Sequence, residues 1–496
     1  MDAHPRRWTA LIVLSLTLVA VTLDNSVLNT ALPSLARALR ASTSDLQWIT
    51  DAYTLVFASA LILAGGIGAR LGSRRALIGG LALFGGGSAL AGLSNSPAQL
   101  MGWRAVMGLG AAFVMPATLA IITRMFPPAE RPKAFGIWSA AAGVGVLVGP
   151  VTGGALLDHF SWRSAFWINV PLVAAALVAI ALIVPGFPAQ RTGRLDIVGA
   201  IVSTAAVATL VDAIIEAPDR GWLARTTLFE LGATALLGAG FVGWELRRDE
   251  PMVQVRLFKN HRFVLAALAL AVTFFALFGT LFELSQYLQL VHGYTPLVAG
   301  LGAMPFAVAM ATTSGTSSLV SRRLGIRGTL TVGLLLVGGG LALLSRSSAD
   351  SAFAYVAATT AVVGAGMGMM MAPASLEITG SVPAQYASMA GALNSVVREL
   401  GGVLGIAVIG TIVSAAYRAT LVKTPGAGRD IAAAPVAFTT AMDRGVMVAA
   451  AVALAAAALM FVGLRRASRP AVPVSEPVSV PVSVPVSEPV RETAMV

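Results

Sequence analysis

Apolar residues run through this chain in stretches of about 20, divided by short polar gaps. A helix of that length, rising about 1.5 Å per residue, crosses the hydrocarbon of a bilayer. Roughly fourteen spanning helices are predicted, near residues 8–33, 46–68, 76–94, 98–124, 133–157, 164–185, 195–216, 227–245, 263–290, 296–319, 328–345, 352–375, 390–415 and 439–464. The expected fold class is an all-α membrane protein. Residues 8–23 alone would pass as a signal-peptide core. No small-residue cleavage site follows them, so a retained first span is expected.

The gaps orient the spans. Arg70, Arg74 and Arg75 follow span two; Arg124, Arg131 and Lys133 follow span four; Arg191 and Arg194 follow span six. Arg247, Arg248, Arg256, Lys259 and Arg262 follow span eight, and Arg322, Arg323 and Arg327 follow span ten. The odd-numbered gaps are poorer, with exceptions at Arg37, Arg40, Arg220, Arg225, Arg418, Lys423 and Arg429. The positive-inside rule then places the even gaps and both termini in the cytoplasm.

Composition agrees with this reading. Hydrophobic residues make up 56% and charged residues 11%, against about a quarter charged in soluble chains. The net charge of +11 sits in the loops, so topology explains it and nucleic acid is not an expected partner. Cysteine is absent, which excludes disulfides and thiol chemistry. His4, His159, His261 and His292 are scattered and make no metal-ligand spacing. There is no GxxxxGK[ST] and no HExxH, so neither ATP-driven transport nor zinc hydrolysis finds support. No cofactor or metal is expected. The Pro-Val-Ser repeat at the C-terminal end is expected to be a disordered tail.

Candidate chemistry lies in the polar residues inside the spans. Asp24, in LVAVTLDNSVLNTALP with Asn25 and Asn29 beside it, costs on the order of 2.5–3.5 kcal/mol at membrane depth. It lies about 24 Å from Trp8, in the outer part of span one, while Asp51 lies about 8 Å below the outer start of span two. The two acids are expected at similar depth on adjacent helices, where such a pair holds and releases a proton; a plain interfacial acid is the competing reading for Asp51. Glu283 sits at the matching depth of span nine, so it is expected to face Asp24 across a cavity, with Gln286 and Tyr287 on its own face. The alternative is a carboxyl near the headgroups. Tyr53 and Tyr287 offer aromatic faces to a cation. Arg104 cannot shed its proton, needs an acid or a carbonyl, and could compete with a proton for a carboxylate. Asp212 and Glu216 form an i, i+4 pair on a span expected to be peripheral, and Arg398 with Glu399 is expected to make structural contacts between helices.

Span five carries Gly143, Gly145, Gly149, Gly153 and Gly154 around Pro150. These small residues allow close helix approach, and the proline allows a bend. A packing face and a functional motif are both open on these residues alone, and the same holds for GAGMGMMMAP at 364–373. GVGVLVGPVTGG nevertheless resembles the fifth-helix antiporter motif of the major facilitator superfamily. LDNSVLNTALP resembles the first-helix motif of its fourteen-span drug:proton antiporter branch, the EmrB/QacA-type exporters. WRAVMGLGAAFVMP is similar to the fourth-helix motif, whose arginine falls on Arg104. SWRSAFWINVP and YLQLVHGYTPLVAGLGAMP also resemble that branch. GGIGARLGSRRAL resembles the loop motif G-x-L-A-D-R-x-G-R-R, with Gly65, Arg70, Gly72, Arg74 and Arg75 in place but Ala69 for the acid and Ser73 for a basic residue. That acid helps latch the cytoplasmic side in the family; topology alone is the other reading of the arginines.

The resemblance implies two six-helix halves around a central cavity, related as repeats. It divides the chain into an N-terminal half at 1–186, two inserted spans at 187–258, a C-terminal half at 259–466 and the tail at 467–496. It implies a multi-pass transporter of the cell (inner) membrane, not an enzyme: a proton-coupled antiporter, working as a monomer, that exports lipophilic cationic drugs or antiseptics. Asp24, Asp51 and Arg104 would couple protons, and Asp24, Asp51, Tyr53, Glu283, Gln286 and Tyr287 would meet substrate. The alternatives are a dedicated exporter of one metabolite or antibiotic and, remotely, a non-transporting receptor.

Overall fold

A computed structural model describes residues 5–127, 130–187, 196–248, 251, 253–382, 387–423 and 433–466. The predicted tail at 467–496, and Arg191, Arg194 and Arg429, lie outside the described residues. Among the described residues the chain is helical throughout. In order come α1 (Arg7–Leu39), α2 (Thr43–Leu71), α3 (Ser73–Ala91), α4 (Pro97–Met125), α5 (Arg131–His159), α6 (Ser164–Trp167) and α7 (Asn169–Ile183). Then follow α8 (Ile197–Arg220), α9 (Arg225–Leu246), α10 (His261–Gln286), α11 (Pro296–Gly302), α12 (Met304–Leu344), α13 (Phe353–Gly380), α14 (Ala387–Lys423) and α15 (Ala433–Arg466).

Local chemistry sets many of these ends. Ser42 and Asp45 exchange bonds in a capping box that starts α2. Ser96 caps α4 with Pro97 in its first turn, and Asp196 caps α8 through the Gly199 amide at 2.8 Å. Eleven helical stretches are long and apolar enough to cross a membrane. One of them, Pro296–Leu344, breaks at Gly325 and covers two predicted spans. The glycine-rich α3 and α5 lie along two more. Gly72 between α2 and α3 (φ 91°) and Gly325 within α12 (φ 68°) take the same left-handed turn. They sit in matching segments, ArgLeuGlySerArg at 70–74 and ArgLeuGlyIleArg at 323–327.

Two cores form. One packs α1 to α7 around Leu28, Leu32, Ile49, Phe84, Met107 and Phe166; the other packs α10 to α15 around Phe263, Leu270, Leu334, Met367 and Met460. At the end of the first unit that bears the N-terminus, Arg7 Nε donates to Glu130 at 2.8 Å, tying α1 to α5. The guanidinium holds the Glu130 carboxyl below its ordinary value.

The units meet at the opposite end, where α1 finishes and α2 begins. Gln47 Nε2 donates to the carbonyls of Ile406 and Ala407, both at 3.0 Å. Gln289 Nε2 donates to the Thr30 carbonyl at 2.9 Å. Gly154 lies against the backbone of Pro296 and Leu297, and Gly300 against the carbonyl of Pro150.

Helix α8 braces this seam, which corrects the expectation that it is peripheral. Ser44 Oγ of α2 donates to Glu216 at 2.6 Å, Thr411 Oγ1 of α14 donates to the Ile214 carbonyl at 3.1 Å, and Arg418 pairs with Asp219. Leu55, Val211, Ile215, Val403 and Ala407 form a small core across α2, α8 and α14. Arg220 gathers Asp212 at 3.1 Å, Glu216 at 3.8 Å and Glu230 at 2.8 Å, which occupies the predicted pair of Asp212 and Glu216. Helix α9 lies outermost, with Phe229 and Leu236 each 75% exposed, as lipid-facing side chains are.

Candidate functional site

The site grows from Gly108. A β-carbon there would strike the backbone of Tyr53, so glycine lets α4 lie directly on α2. One turn earlier on α4, Arg104 is fully buried and reaches the Ile49 carbonyl through Nε at 3.2 Å. Its Nη1 donates to Asp24 Oδ2 at 2.5 Å, its Nη2 donates to Asn25 Oδ1 at 2.9 Å, and the guanidinium lies 4.3 Å over the Tyr53 ring. Asp24 is 2% exposed, and its other oxygen accepts from Asn169 Nδ2 at 2.7 Å. Asn169 also donates to Ser88 Oγ at 3.1 Å, and Ser88 donates to the Phe166 carbonyl at 2.8 Å. A carboxylate in hydrocarbon is tolerable because a bidentate environment of charge and amide replaces water.

This arrangement corrects two expectations. Asp24 pairs with Arg104 and Asn169, not with Asp51. Asp51 is fully buried, and neither of its oxygens has a hydrogen-bond partner among the described residues. Asp24 also does not face Glu283 across a cavity, since both its oxygens are engaged inside the first unit. The cause is helix rotation: depth along a span is readable from residue counts, but the direction a side chain takes depends on how the helix is turned.

Glu283 is buried, with Oε2 unpartnered among the described residues. Gln286 donates to its own helix at Phe282, and Tyr287 donates to the Ser348 carbonyl at 2.7 Å, so neither forms a cavity wall with Glu283. After Tyr287 the helix widens into a π turn through Val291, a feature often found at functional positions. The cavity at the seam is lined instead by Ser26, Asn29, Thr30, Leu284, Ser285 and Ala303, with other apolar neighbours. Its volume of about 50 Å³ is far below the 300–1,000 Å³ of drug-sized sites. Arg398 lies 4.7 Å over the Phe274 ring of α10, an inter-helix contact made through an aromatic face.

The family model described as Major Facilitator Superfamily matches residues 14–406. The chain belongs to the major facilitator superfamily. Among curated relatives, the tetracenomycin C resistance and export protein of Streptomyces glaucescens is 34% identical, with 82% of this chain and 76% of that one covered. The multidrug efflux pump LfrA of Mycolicibacterium smegmatis is 34% identical over 93% of this chain and 97% of its own. The methyl viologen resistance protein SmvA of Salmonella typhimurium is 33% identical over 84% of each. Among solved structures, a bacterial homolog of the human lysosomal transporter Spinster, inward-facing and occupied, has the same fold: TM-score 0.68, 18% identity, 94% of this chain and 98% of that one covered.

Within this facilitator the span-five glycines divide their contacts. Gly145 faces Thr22, Gly149 faces Ser26 and Gly153 faces Val27, so α5 lies flat on α1, whereas Gly154 and Pro150 meet α11. The surroundings of Gly143 lie outside the described residues. In the loop motif, Gly65 touches Pro116, and Arg74 Nη2 donates to the Ala181 carbonyl of α7 at 2.5 Å. Arg74 therefore fastens the loop within its own half. Arg74 and Arg75, with Leu71, Gly72, Ile78, Gly186 and Phe187, line a cavity of about 540 Å³. Arg70, at the end of α2, is exposed.

Sequence reasoning missed Asn169 and Ser88. A signal was present: Asn169 opens an apolar helix two residues before Pro171, and a buried amide there needs a partner.

Proposed function

We propose that this chain is a proton-coupled antiporter of the fourteen-span drug exporter branch, exporting lipophilic cations from the cytoplasm. It acts as a monomer in the cell membrane, with both termini cytoplasmic and the proton gradient in place of a cofactor. The observation that carries the reading is the buried pair of Asp24 and Arg104 inside a facilitator half. Such a carboxylate exchanges a proton for the guanidinium as its counterion, and the membrane supplies both the gradient and the dry surroundings. The relatives named for multidrug efflux and for methyl viologen resistance support substrates that are cationic and varied.

Everted vesicles carrying the chain are expected to take up ethidium or methyl viologen during respiration and to lose the gradient on addition of an uncoupler. Uptake indifferent to the uncoupler would end the proton-coupled reading.

A second reading, a dedicated exporter of one antibiotic, is favoured by relatives named for tetracenomycin C, puromycin and actinorhodin. A growth panel of cationic dyes, biguanides and neutral antibiotics separates the two, because a dedicated pump protects against one compound.

Under this reading the seam is the outer gate, closed here, and transport requires it to part. Gly410 sits against the Gln47 side chain, and the chain has no cysteine of its own. Cysteines placed at Gln47 and Gly410 are expected to bridge on oxidation and to stop efflux, with recovery after reduction. Full efflux in the bridged protein would show that this seam does not open.

A further inference from the structure

Asn169 is fully buried, and its amide orientation is decided by its neighbours. The single proton of the Ser88 hydroxyl goes to the Phe166 carbonyl, so Ser88 must accept from Asn169, which places Nδ2 toward both Ser88 and Asp24. The Asn169 Oδ1 is then left without a partner among the described residues. A buried, unsatisfied acceptor next to a carboxylate is costly in a fixed structure. It is useful in one that changes protonation state.

Asp24 is held by donors at both oxygens, Arg104 on Oδ2 and Asn169 on Oδ1. Arg104 cannot yield. It keeps its proton, and the Ile49 carbonyl, Asn25 and the Tyr53 ring hold it in place. Asn169 can yield, because a half-turn of its amide exchanges a donor for the idle acceptor.

We propose that Asn169 is the positioning residue that directs the proton to Oδ1 of Asp24 and sets the pH at which it binds; this rests on Asp24 being the exchanging carboxyl. A proton supplied from the aqueous phase adds to Oδ1, and the bond from Asn169 Nδ2 breaks. The amide turns about its Cβ–Cγ bond, and Asn169 Oδ1 accepts the new O–H. The Ser88 hydroxyl swings from the Phe166 carbonyl to donate to the same Oδ1. One proton is gained and no other covalent bond changes; release runs the steps backward. Arg104 stays bonded to Oδ2 throughout.

Among the described residues, few ionisable groups face this centre. Helix α4 contributes Arg104 and α2 contributes Tyr53, with Glu399 of α14 near Tyr53; Asp51 is buried elsewhere on α2, without a hydrogen-bond partner among the described residues. Helix α10, which touches α1, carries Glu283. Helix α3 presents Ser88, α5 presents glycines, α7 presents Asn169, and α6 and α11 contain no ionisable residue.

The test is a pH titration of the Asp24 carboxyl stretch by infrared difference, taking wild type minus Asp24→Asn, on the full chain in lipid nanodiscs without substrate. Removing a donor to the ionised form is expected to move the midpoint of Asn169→Ala upward by about one pH unit, tenfold in proton affinity. Ser88→Ala, which frees the amide but keeps its bond to Asp24, is expected to move the midpoint the same way by less. A merely structural Asn169 would lower the yield of folded protein and leave the midpoint in place. If Asn169→Ala does not accumulate in the membrane, Ser88→Ala carries the test. Midpoints that superimpose on wild type overturn the proposal. Methyl viologen efflux by Asp24→Asn, measured alongside, reports separately: persistence there removes Asp24 as the exchanging group, whatever the titration of Asn169→Ala shows.

Discussion

Asp24→Asn is expected to reduce proton-driven efflux in everted vesicles at least a hundredfold while the protein still inserts. The substitution keeps the size and planarity of the side chain but removes the negative charge that Arg104 and Asn169 both address. No proton can then be exchanged at this position, and export loses its coupling. The same change leaves the Arg104 guanidinium buried beside a neutral amide. Stranding one member of a buried pair costs about 3–5 kcal/mol, so a lower thermal midpoint is expected as well. Combining Asp24→Asn with Arg104→Gln separates the two effects. A neutral, hydrogen-bonded pair in place of the ion pair is expected to recover most of the lost stability and none of the transport. Near-normal efflux in either variant would show that the pair serves the fold and that another acid couples protons; Glu283 and Asp51 are then the groups to substitute.

Gly300→Val carries the second large effect. A β-carbon at Gly300 would fall on the Pro150 carbonyl, and both contacting groups are backbone. Neither can swing aside as a flexible side chain would, so the closed seam becomes unfavourable by about 1–3 kcal/mol or more. The open arrangement, in which α5 and α11 separate, carries no such penalty, and the balance between the states shifts accordingly. Efflux is expected to fall because the outer gate no longer closes. A single cysteine at Asn29, which lines the small seam cavity, reads the shift directly. Its labelling by a membrane-impermeant thiol reagent added from outside is expected to quicken at least tenfold in Gly300→Val. Unchanged labelling would mean that the seam tolerates the methyl groups or is not the outer gate.

Much of this was legible along the chain. Apolar length located the helices, and an acid inside an apolar span marked Asp24 as a residue that needs partners, which it has. The need of a buried guanidinium for an acid or a carbonyl anticipated the kind of partner Arg104 has: it holds both Asp24 and Ile49 O. What escaped were neighbours supplied by other helices. Ser88, Asn169 and Asp24 come from α3, α7 and α1, and no spacing rule connects residues so far apart in sequence. Glu283 shows the complementary error. Its position along the span was readable from residue counts, but the face of α10 toward the seam cavity carries Leu281, Leu284 and Ser285 instead. The role of α8 was hidden for the same reason: it looked peripheral as an insertion, yet Glu216, Ile214 and Asp219 tie it to α2 and α14.

By itself, the sequence determined that this protein is a helical membrane transporter with acids and an arginine held in its spans. Helix length, loop charge and the cost of intramembrane charge act locally, and they can be read one segment at a time. The tertiary structure alone decided that Asp24 belongs to Arg104 and Asn169, that Asp51 and Glu283 are not its partners, and that the molecule is closed at the seam of α2, α5, α11 and α14. Those outcomes depend on how each helix is rotated and on which of two packings the halves adopt. Both are set by contacts among many helices at once, such as Gly108 on Tyr53 and Gly300 on Pro150, and small residues at such crossings are compatible with more than one arrangement.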